Sequence, residues 1–530
     1  MKKLFFLLFI TVFNQNIQAQ QTEDAWVYFT DKPQMQTYLS NPLSMLSQRA
    51  LDRRVRYNIP LDEKDVPIDN NYLSQIANAT GITIKAKSKW MNAVHVQGSQ
   101  TDISNLLNLS FVDTIEFANQ NIGVVTRPAL ENKKLIYTAS KNLQTNYNYG
   151  AGYDQIHIMN GEVVHQRGFT GAGVLIAIID AGFETVDTEP FFSALFTQNK
   201  IKDVYNFVDS NSDVYQRSFH GGGVLSTIAA NNDGNFVGTA PDADFALYIS
   251  EDVNQEMPIE ETYWAEAAER ADSLGVDVIN TSLGYQDYDR PEYTRGMGAL
   301  DGQTSFITRA ANIAVSRGIN VVVSAGNSGL NAWYKIGFPA DSPSVITVGA
   351  IDNTGQKAGF SSVGPTADGR TKPDVMAVGK NSTCFWNGQI QNLSGTSFSS
   401  PIMAGMVACW VQAEPNLPPA QLKQQLLNIS DRYNNPDNDY GYGIPDFSQA
   451  GFVLGINEIN TFSDKVYPNP VVDKLYIKRK NIQTTYEIYN LKGQVVLSKQ
   501  LINNQIDLSE LNAGIYILKI DNQHFKILKK

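Results

Sequence analysis

The stretch Val174-Leu175-Ile176-Ala177-Ile178-Ile179-Asp180-Ala181-Gly182 decides the fold. Six consecutive apolar residues, most of them β-branched, run up to a carboxylate. That pattern fits a strand buried on both faces, as in a parallel sheet, and not the alternation of a sheet with one wet side. Phe245 to Ile249, Val276 to Ile279, Val321 to Val323 and Val345 to Val348 repeat it. Helical periodicity over Glu260 to Leu274, Gln303 to Arg317 and Ser397 to Gln412 fills the intervals. The alternation predicts an α/β domain with a doubly wound parallel sheet, whose ligands gather at the carboxyl ends of the strands. Asp180 stands at one such end and Asn327 just beyond another.

A carboxylate closing a buried strand must be hydrogen-bonded or functional. Further along, His220 opens a helix and is followed by Gly221-Gly222-Gly223, which lets backbone or substrate come close to the ring. Ser397, in Gly395-Thr396-Ser397-Phe398-Ser399-Ser400-Pro401, lies between a glycine and a predicted helix, with Pro401 expected in the tolerant first turn. A serine hydroxyl becomes a nucleophile when an imidazole takes its proton and a carboxylate holds that imidazole in the right tautomer. The chain offers one strong candidate for each role. A serine at a helix start also brings its own N–H and the positive end of the helix dipole to where an oxyanion would form. Asn327, in Ser324-Ala325-Gly326-Asn327-Ser328-Gly329, is a usual turn residue and equally an amide donor able to complete that hole. The bland readings are an N-cap for Ser397 and capping or surface roles for His95, His157, His165 and His524.

Several rivals fall away. Gly171-Ala172-Gly173 precedes its strand, the wrong side for a dinucleotide site. The order Asp, His, Ser and the missing Gly-x-Ser-x-Gly elbow argue against an α/β-hydrolase esterase. No second ligand lies at a zinc spacing from His220. A net charge of -11 disfavours nucleic acid as a partner. Cys384 and Cys409 are too few for a disulfide scaffold, and Cys409 reads as a buried small side chain in an apolar helix.

Working outward, 530 residues imply two to four domains. Residues 1–19, with Lys2, Lys3 and a short apolar run, read as a cleaved signal peptide. Residues 20–125 mix short strands (Trp26 to Phe29, Ala93 to Val96, Val112 to Phe117) with helices (Ser44 to Arg56, Thr101 to Leu109) and suit a small α+β module. A polar linker follows at 126–150, then the α/β domain at 151–457. From Thr461 the composition turns basic, with 11 Lys and Arg against 6 Asp and Glu. Short strands at Lys474 to Lys478, Tyr486 to Tyr489, Gln494 to Leu497 and Gly514 to Ile520, separated by Asn/Gly turns, predict a small all-β sandwich over 461–530.

Taken together, Asp180-Ala181-Gly182, His220-Gly221, Ser282-Leu283-Gly284, Ala325-Gly326-Asn327, Phe338-Pro339-Ala340, Lys372-Pro373-Asp374-Val375 and Gly395 to Pro401 resemble the subtilisin-like serine proteases, the subtilase family. The resemblance implies amide hydrolysis through an acyl-enzyme on Ser397, with His220 as base then acid, Asp180 orienting it and Asn327 binding the oxyanion. It implies that Ser282, Leu283 and Gly284, with Ala325 and Gly326, hold a polypeptide substrate in extended form and wall the P1 pocket. It departs from the common pattern at Ala181, Gly222 and Phe398-Ser399. The N-terminal module looks like the propeptide that inhibits such enzymes. The C-terminal segment, with Val466-Tyr467-Pro468-Asn469-Pro470 and Leu511-Asn512-Ala513-Gly514-Ile515-Tyr516, resembles the type A sorting domain of the type IX secretion system. The expectation is a monomeric, secreted endopeptidase made as a zymogen and exported through the periplasm and outer membrane by that machinery. No cofactor is needed for the chemistry; structural calcium, for instance at Asp437-Asn438-Asp439, is left unassigned. The alternative is a catalytically silent subtilase fold used for binding.

Overall fold

All five apolar runs become strands of one sheet. The computed structural model describes residues 22–125, 146–450, 465–478, 485–490, 493–501, 504–520 and 523–530. The signal peptide expected at 1–19 and linker residues 126–145 lie outside them. Residues up to Ala450 form one compact unit and those from Gly451 another.

The N-terminal module is a five-stranded antiparallel sheet of β1 (Thr22–Phe29), β2 (Thr83–Ser88), β3 (Ala93–Ser99), β4 (Val112–Phe117) and β5 (Val124–Val125), ordered β2-β3-β1-β4-β5. Helices α1 (Gln48–Arg56), α2 (Asn70–Ala77) and α3 (Gln100–Asn105) accompany it. Ser47 accepts the Ala50 N–H at 3.1 Å, so α1 begins at Gln48 and not at Ser44. Ser99 caps α3 in the same way through the Asp102 N–H at 3.1 Å. Val27, Val94, Val96, Ile103 and Ile115 form the core of the module.

In the α/β domain β6 (Leu175–Asp180), β7 (Ile201–Asn206), β8 (Asp244–Ile249), β9 (Val278–Thr281), β10 (Asn320–Ser324), β11 (Ile346–Ile351) and β12 (Val375–Val378) form a seven-stranded sheet ordered β12-β11-β10-β9-β6-β8-β7. All its pairings are parallel. From β6 the chain first builds one flank, β7 and β8, and then the other, β9 to β12. The strand order thus reverses beside β6, where such sheets open a crevice at their carboxyl ends. Helices α4 (His220–Ala229), α5 (Ile259–Leu274), α6 (Phe306–Ser316) and α7 (Thr396–Ala413) cover the sheet. Of the 18 residues of α7 all but Gln412 are buried, which explains its unbroken apolar run from Pro401 to Val411.

The N-terminal module is fastened to α5 and α6 by buried charge. Glu269 of α5 accepts the Ser88 hydroxyl at 2.6 Å and the Lys89 and Trp90 amides at 3.0 Å. Arg53 and Arg54 of α1, both buried, reach the carboxyl ends of the two helices. Arg54 pairs with Asp65 at 2.6 Å and Asp272 at 2.7 Å. Arg53 pairs with Asp272 and donates to the carbonyls of Asp272, Val276 and Arg317. Cations at helix carboxyl ends satisfy otherwise orphaned carbonyls. His95 is fully buried between Asp24, at 2.9 Å, and Thr262 of α5, at 3.0 Å. It is therefore not the surface residue expected. His165 is likewise buried, bonded to Thr239 O at 3.0 Å, and burial lowers its pKa to about 4.

The C-terminal unit is all-β. One sheet joins Lys465–Tyr467, Lys474–Lys478 and Gln505–Asp507; the other joins Val495–Gln500, Thr485–Tyr489, Gly514–Ile520 and Gln523–Lys529. Pairing between these strands is antiparallel, and Leu475, Ile477, Ile506, Ile488 and Leu518 share one core.

Candidate active site

Asp180 ends β6 with no exposed surface. Its Oδ1 accepts the Ala181 N–H at 2.8 Å and lies 2.6 Å from His220 Nδ1. Two glycines allow that approach. The Gly221 N–H donates to Gly182 O at 2.9 Å, and a Cβ on Gly221 would stand 2.5 Å from that same oxygen. Gly223 packs on Trp386, where a Cβ would meet the indole at 2.7 Å, and the Trp386 and Phe398 rings stand 6.3 and 6.4 Å from that of His220. Burial works against protonating His220. The Asp180 charge and hydrogen bond outweigh it, Glu251 adds to them, and the imidazole pKa sits above the ordinary 6.5. The ring keeps 26% of its surface, enough to meet a substrate.

Ser397 is the second residue of α7, and Pro401 is the sixth, inside the helix and not in its first turn as expected. Pro401 has no N–H to give the carbonyl four residues back, which is that of Ser397. The Ser282 hydroxyl takes this carbonyl instead, donating at 2.9 Å. Ser282 Oγ in turn accepts from Asn280 Nδ2 at 3.1 Å, and Asn280 Oδ1 accepts the Ser400 hydroxyl at 2.8 Å. The first turn of α7 is thereby tied to the end of β9. Among the described residues the Ser397 hydroxyl bonds to Ser282 O, at 3.4 Å, and the link to His220 is not formed. Such hydrogen bonds often tighten only when substrate arrives.

Asn327 is exposed and its side chain is fixed from behind. Its Oδ1 accepts the Thr396 N–H at 2.9 Å and the Thr396 hydroxyl at 3.0 Å, which turns Nδ2 outward. One point above Gly395, where a Cβ would stand, lies 3.7 Å from Asn327 Nδ2, 3.7 Å from Ser397 N and 3.8 Å from Ser397 Oγ. Two donors and a hydroxyl thus converge on one small volume.

Ser282 and Leu283 are buried and Gly284 is exposed. Tyr285 exchanges both backbone hydrogen bonds with Phe338 at 2.9 Å. Across from them, Ala325 is buried and Gly326 has φ +103, with the place of its Cβ 3.0 Å from Ser362 Oγ and 4.0 Å from Gly337 N. Both segments therefore abut the Gly337-Phe338 strip. Thr396, Asn280 and Glu251 join the site without having stood out in the sequence. For Thr396 the signal was its place beside Ser397; for Asn280, its place two residues before Ser282.

The subtilase family model matches residues 171–443. The chain belongs to the subtilase family of serine endopeptidases. A Peptidase S8 propeptide domain of the Bacteroidota type matches residues 24–134, and a secretion system C-terminal sorting domain matches 465–530. Among subtilase relatives, Subtilisin of Bacillus pumilus is 32% identical over 285 residues, which are 53% of this chain and 92% of that protein. Subtilisin NAT of Bacillus subtilis subsp. natto is 32% identical over 285 residues, 53% of this chain and 66% of that protein's length. The solved structure of MycP1 from the ESX-1 type VII secretion system aligns with a TM-score of 0.44 at 25% identity, covering 60% of this chain and 89% of that one. This subtilase chain is thus a serine protease zymogen in plan, with a type IX sorting domain at its end.

Asp437 is occupied by Arg432 at 2.7 Å and by the Asp439 and Tyr440 amides, and among the described residues no three His, Cys, Asp or Glu side chains gather as a metal-binding group. Cys384 and Cys409 are both free and buried. No helix of the described residues is long and apolar enough to cross a membrane.

Proposed function

We propose that Asp180, His220, Ser397 and Asn327 make this chain a secreted serine endopeptidase. The observation that carries the reading is the convergence of Asn327 Nδ2, Ser397 N and Ser397 Oγ on one point, beside an imidazole held by a buried carboxylate. Neutral His220 takes the Ser397 proton as Oγ attacks the scissile carbonyl, and the oxyanion meets the Ser397 N–H and Asn327 Nδ2. Protonated His220, steadied by Asp180, then gives its proton to the leaving amine, and water repeats the sequence on the acyl-enzyme. Ser282 to Gly284 and Ala325-Gly326 flank an extended polypeptide, with the P1 side chain between them. No cofactor takes part in these steps. The N-terminal module acts as inhibitor until removed, and a monomer is exported through the periplasm and then the outer membrane by the type IX machinery.

A fluorophosphonate probe applied to the processed protein tests this. Wild type should label and Ser397→Ala should not; an unlabelled wild type, its N-terminal module demonstrably gone, defeats the reading.

A further inference from the structure

Glu251 lies one residue beyond Ser250, whose N–H donates to Asp180 O at 3.2 Å. Ile249 is level with Asp180 in the β6–β8 register, and side chains two residues apart share a face, so Glu251 points to the side on which Asp180 meets His220. At its other end the carboxylate accepts the Tyr285 hydroxyl at 3.2 Å, and Tyr285 directly follows Gly284. Glu251 therefore bridges the catalytic pair and the segment proposed to hold the substrate backbone. It is half-buried, and among the described residues no lysine or arginine pairs with it. The nearby Arg217 is held by Asp209 at 2.9 Å and Asp252 at 3.3 Å. Asp252 adds negative charge beside it; burial, against the Tyr285 hydrogen bond and with the Asp180 charge, pushes Glu251 up to about 7, and burial with neighbouring carboxylates likewise raises Glu256 and Glu260. A cation brought there would find a partner already in place and would restore the ionised carboxylate.

We infer that Glu251 is a specificity-determining residue that receives a cationic side chain at the P2 position of the substrate. The inference rests on the protease reading above. In an extended peptide neighbouring side chains leave on opposite sides, so a P1 residue entering between the two flanking segments sends P2 toward His220 and Glu251. A second observation comes from the chain itself. Residues 126–145, between the inhibitory module and the catalytic domain, carry Arg127, Lys133, Lys134 and Lys141 against the single acid Glu131, in a protein of net charge -11. The segment that must be cut for maturation thus supplies the charge that Glu251 lacks.

Peptides differing only at P2 provide the test. Wild type should prefer Lys over Gln there by about tenfold in kcat/KM, the scale of one charge-assisted hydrogen bond. Glu251→Gln should bring that ratio to within about twofold, and Glu251→Arg should turn it toward Glu. Self-processing of the full-length zymogen should leave a mature N-terminus at Ala129, Leu135, Ile136 or Leu143, each of which places Arg127 or a lysine at P2. A wild type that labels with fluorophosphonate yet shows no P2 preference overturns the inference and leaves the protease reading intact. So does a preference that survives Glu251→Gln, or a self-processed N-terminus elsewhere. A wild type that does not label fails at the earlier step.

Discussion

The catalytic domain treats its polar groups in opposite ways on two of its faces. Where it meets the N-terminal module, Asp272 and Glu269 are enclosed and each holds several partners. At the cleft, among the described residues, Asp180 Oδ2 is buried without a hydrogen-bond partner, the Ser397 hydroxyl has one long hydrogen bond, and Asn327 Nδ2 is turned outward. Satisfied buried charge specifies how two surfaces fit, whereas polar groups left waiting are what a reaction needs, because they complete their bonding only in the transition state. One face stores assembly and the other stores reactivity, so damage to each should register in a different measurement.

The largest effect should come from the cleft. Ser397→Ala should lower turnover by on the order of 10⁶, the size established on a subtilisin for its own triad serine, while the unfolding midpoint of the zymogen stays put. A matching fall in stability would erase the contrast between the faces. Next comes the interface. Asp272→Asn leaves Arg53 and Arg54 short of a carboxylate and should cost the zymogen about 3–5 kcal/mol in chemical denaturation. Burial would raise the Asp272 pKa, but Arg54 and Arg53 hold it below 3.8. The stabilisation should be complete above that pH and fade as acid reaches the depressed value. Third, Asn327→Ala should reduce turnover about 10²- to 10³-fold, again a size established on a subtilisin, with little change in KM. If the loss appears in KM, the amide binds substrate and not the developing oxyanion.

Smaller effects sharpen the same comparison. In the proposed role of base His220 must be neutral, and Asp180 holds its pKa above 6.5. Activity on a peptide should therefore fall with acid through a midpoint above 6.5, and a limb at or below that value would mean that the pair is weaker in solution than its 2.6 Å contact indicates. Smallest of all, reductant should leave the unfolding temperature unchanged, since Cys384 and Cys409 are free. A drop of several degrees would reveal a bridge.

The sequence made the middle of the molecule readable and its borders less so. Val174 to Ile179 and its four companions declare themselves because strands buried on both faces must be apolar. The edge strand Ile201-Lys202-Asp203-Val204-Tyr205-Asn206 escapes, since one flank faces water and admits charge. Val375–Val378 escapes as well, although it is as apolar as the runs that declare themselves and no shorter than Val321 to Val323. At the site, the motifs around Asp180, His220 and Ser397 were visible because glycines and strand ends mark them. The part played by Ser282 was not. It depends on α7 starting at Thr396, which brings the Ser397 carbonyl into the helix where Pro401 cannot supply its hydrogen bond, and no local pattern fixes a helix start to one residue.

That register has a consequence for how the enzyme would respond to substrate length. The residue that supports the Ser397 carbonyl, Ser282, also begins the segment proposed to pair with the peptide backbone. A peptide long enough to lie along Ser282 to Gly284 would brace that segment and, through it, the first turn carrying Ser397. A short one would leave both slack. Trimming residues far from the cut should therefore slow the bond-breaking step itself and not merely loosen the grip on the substrate.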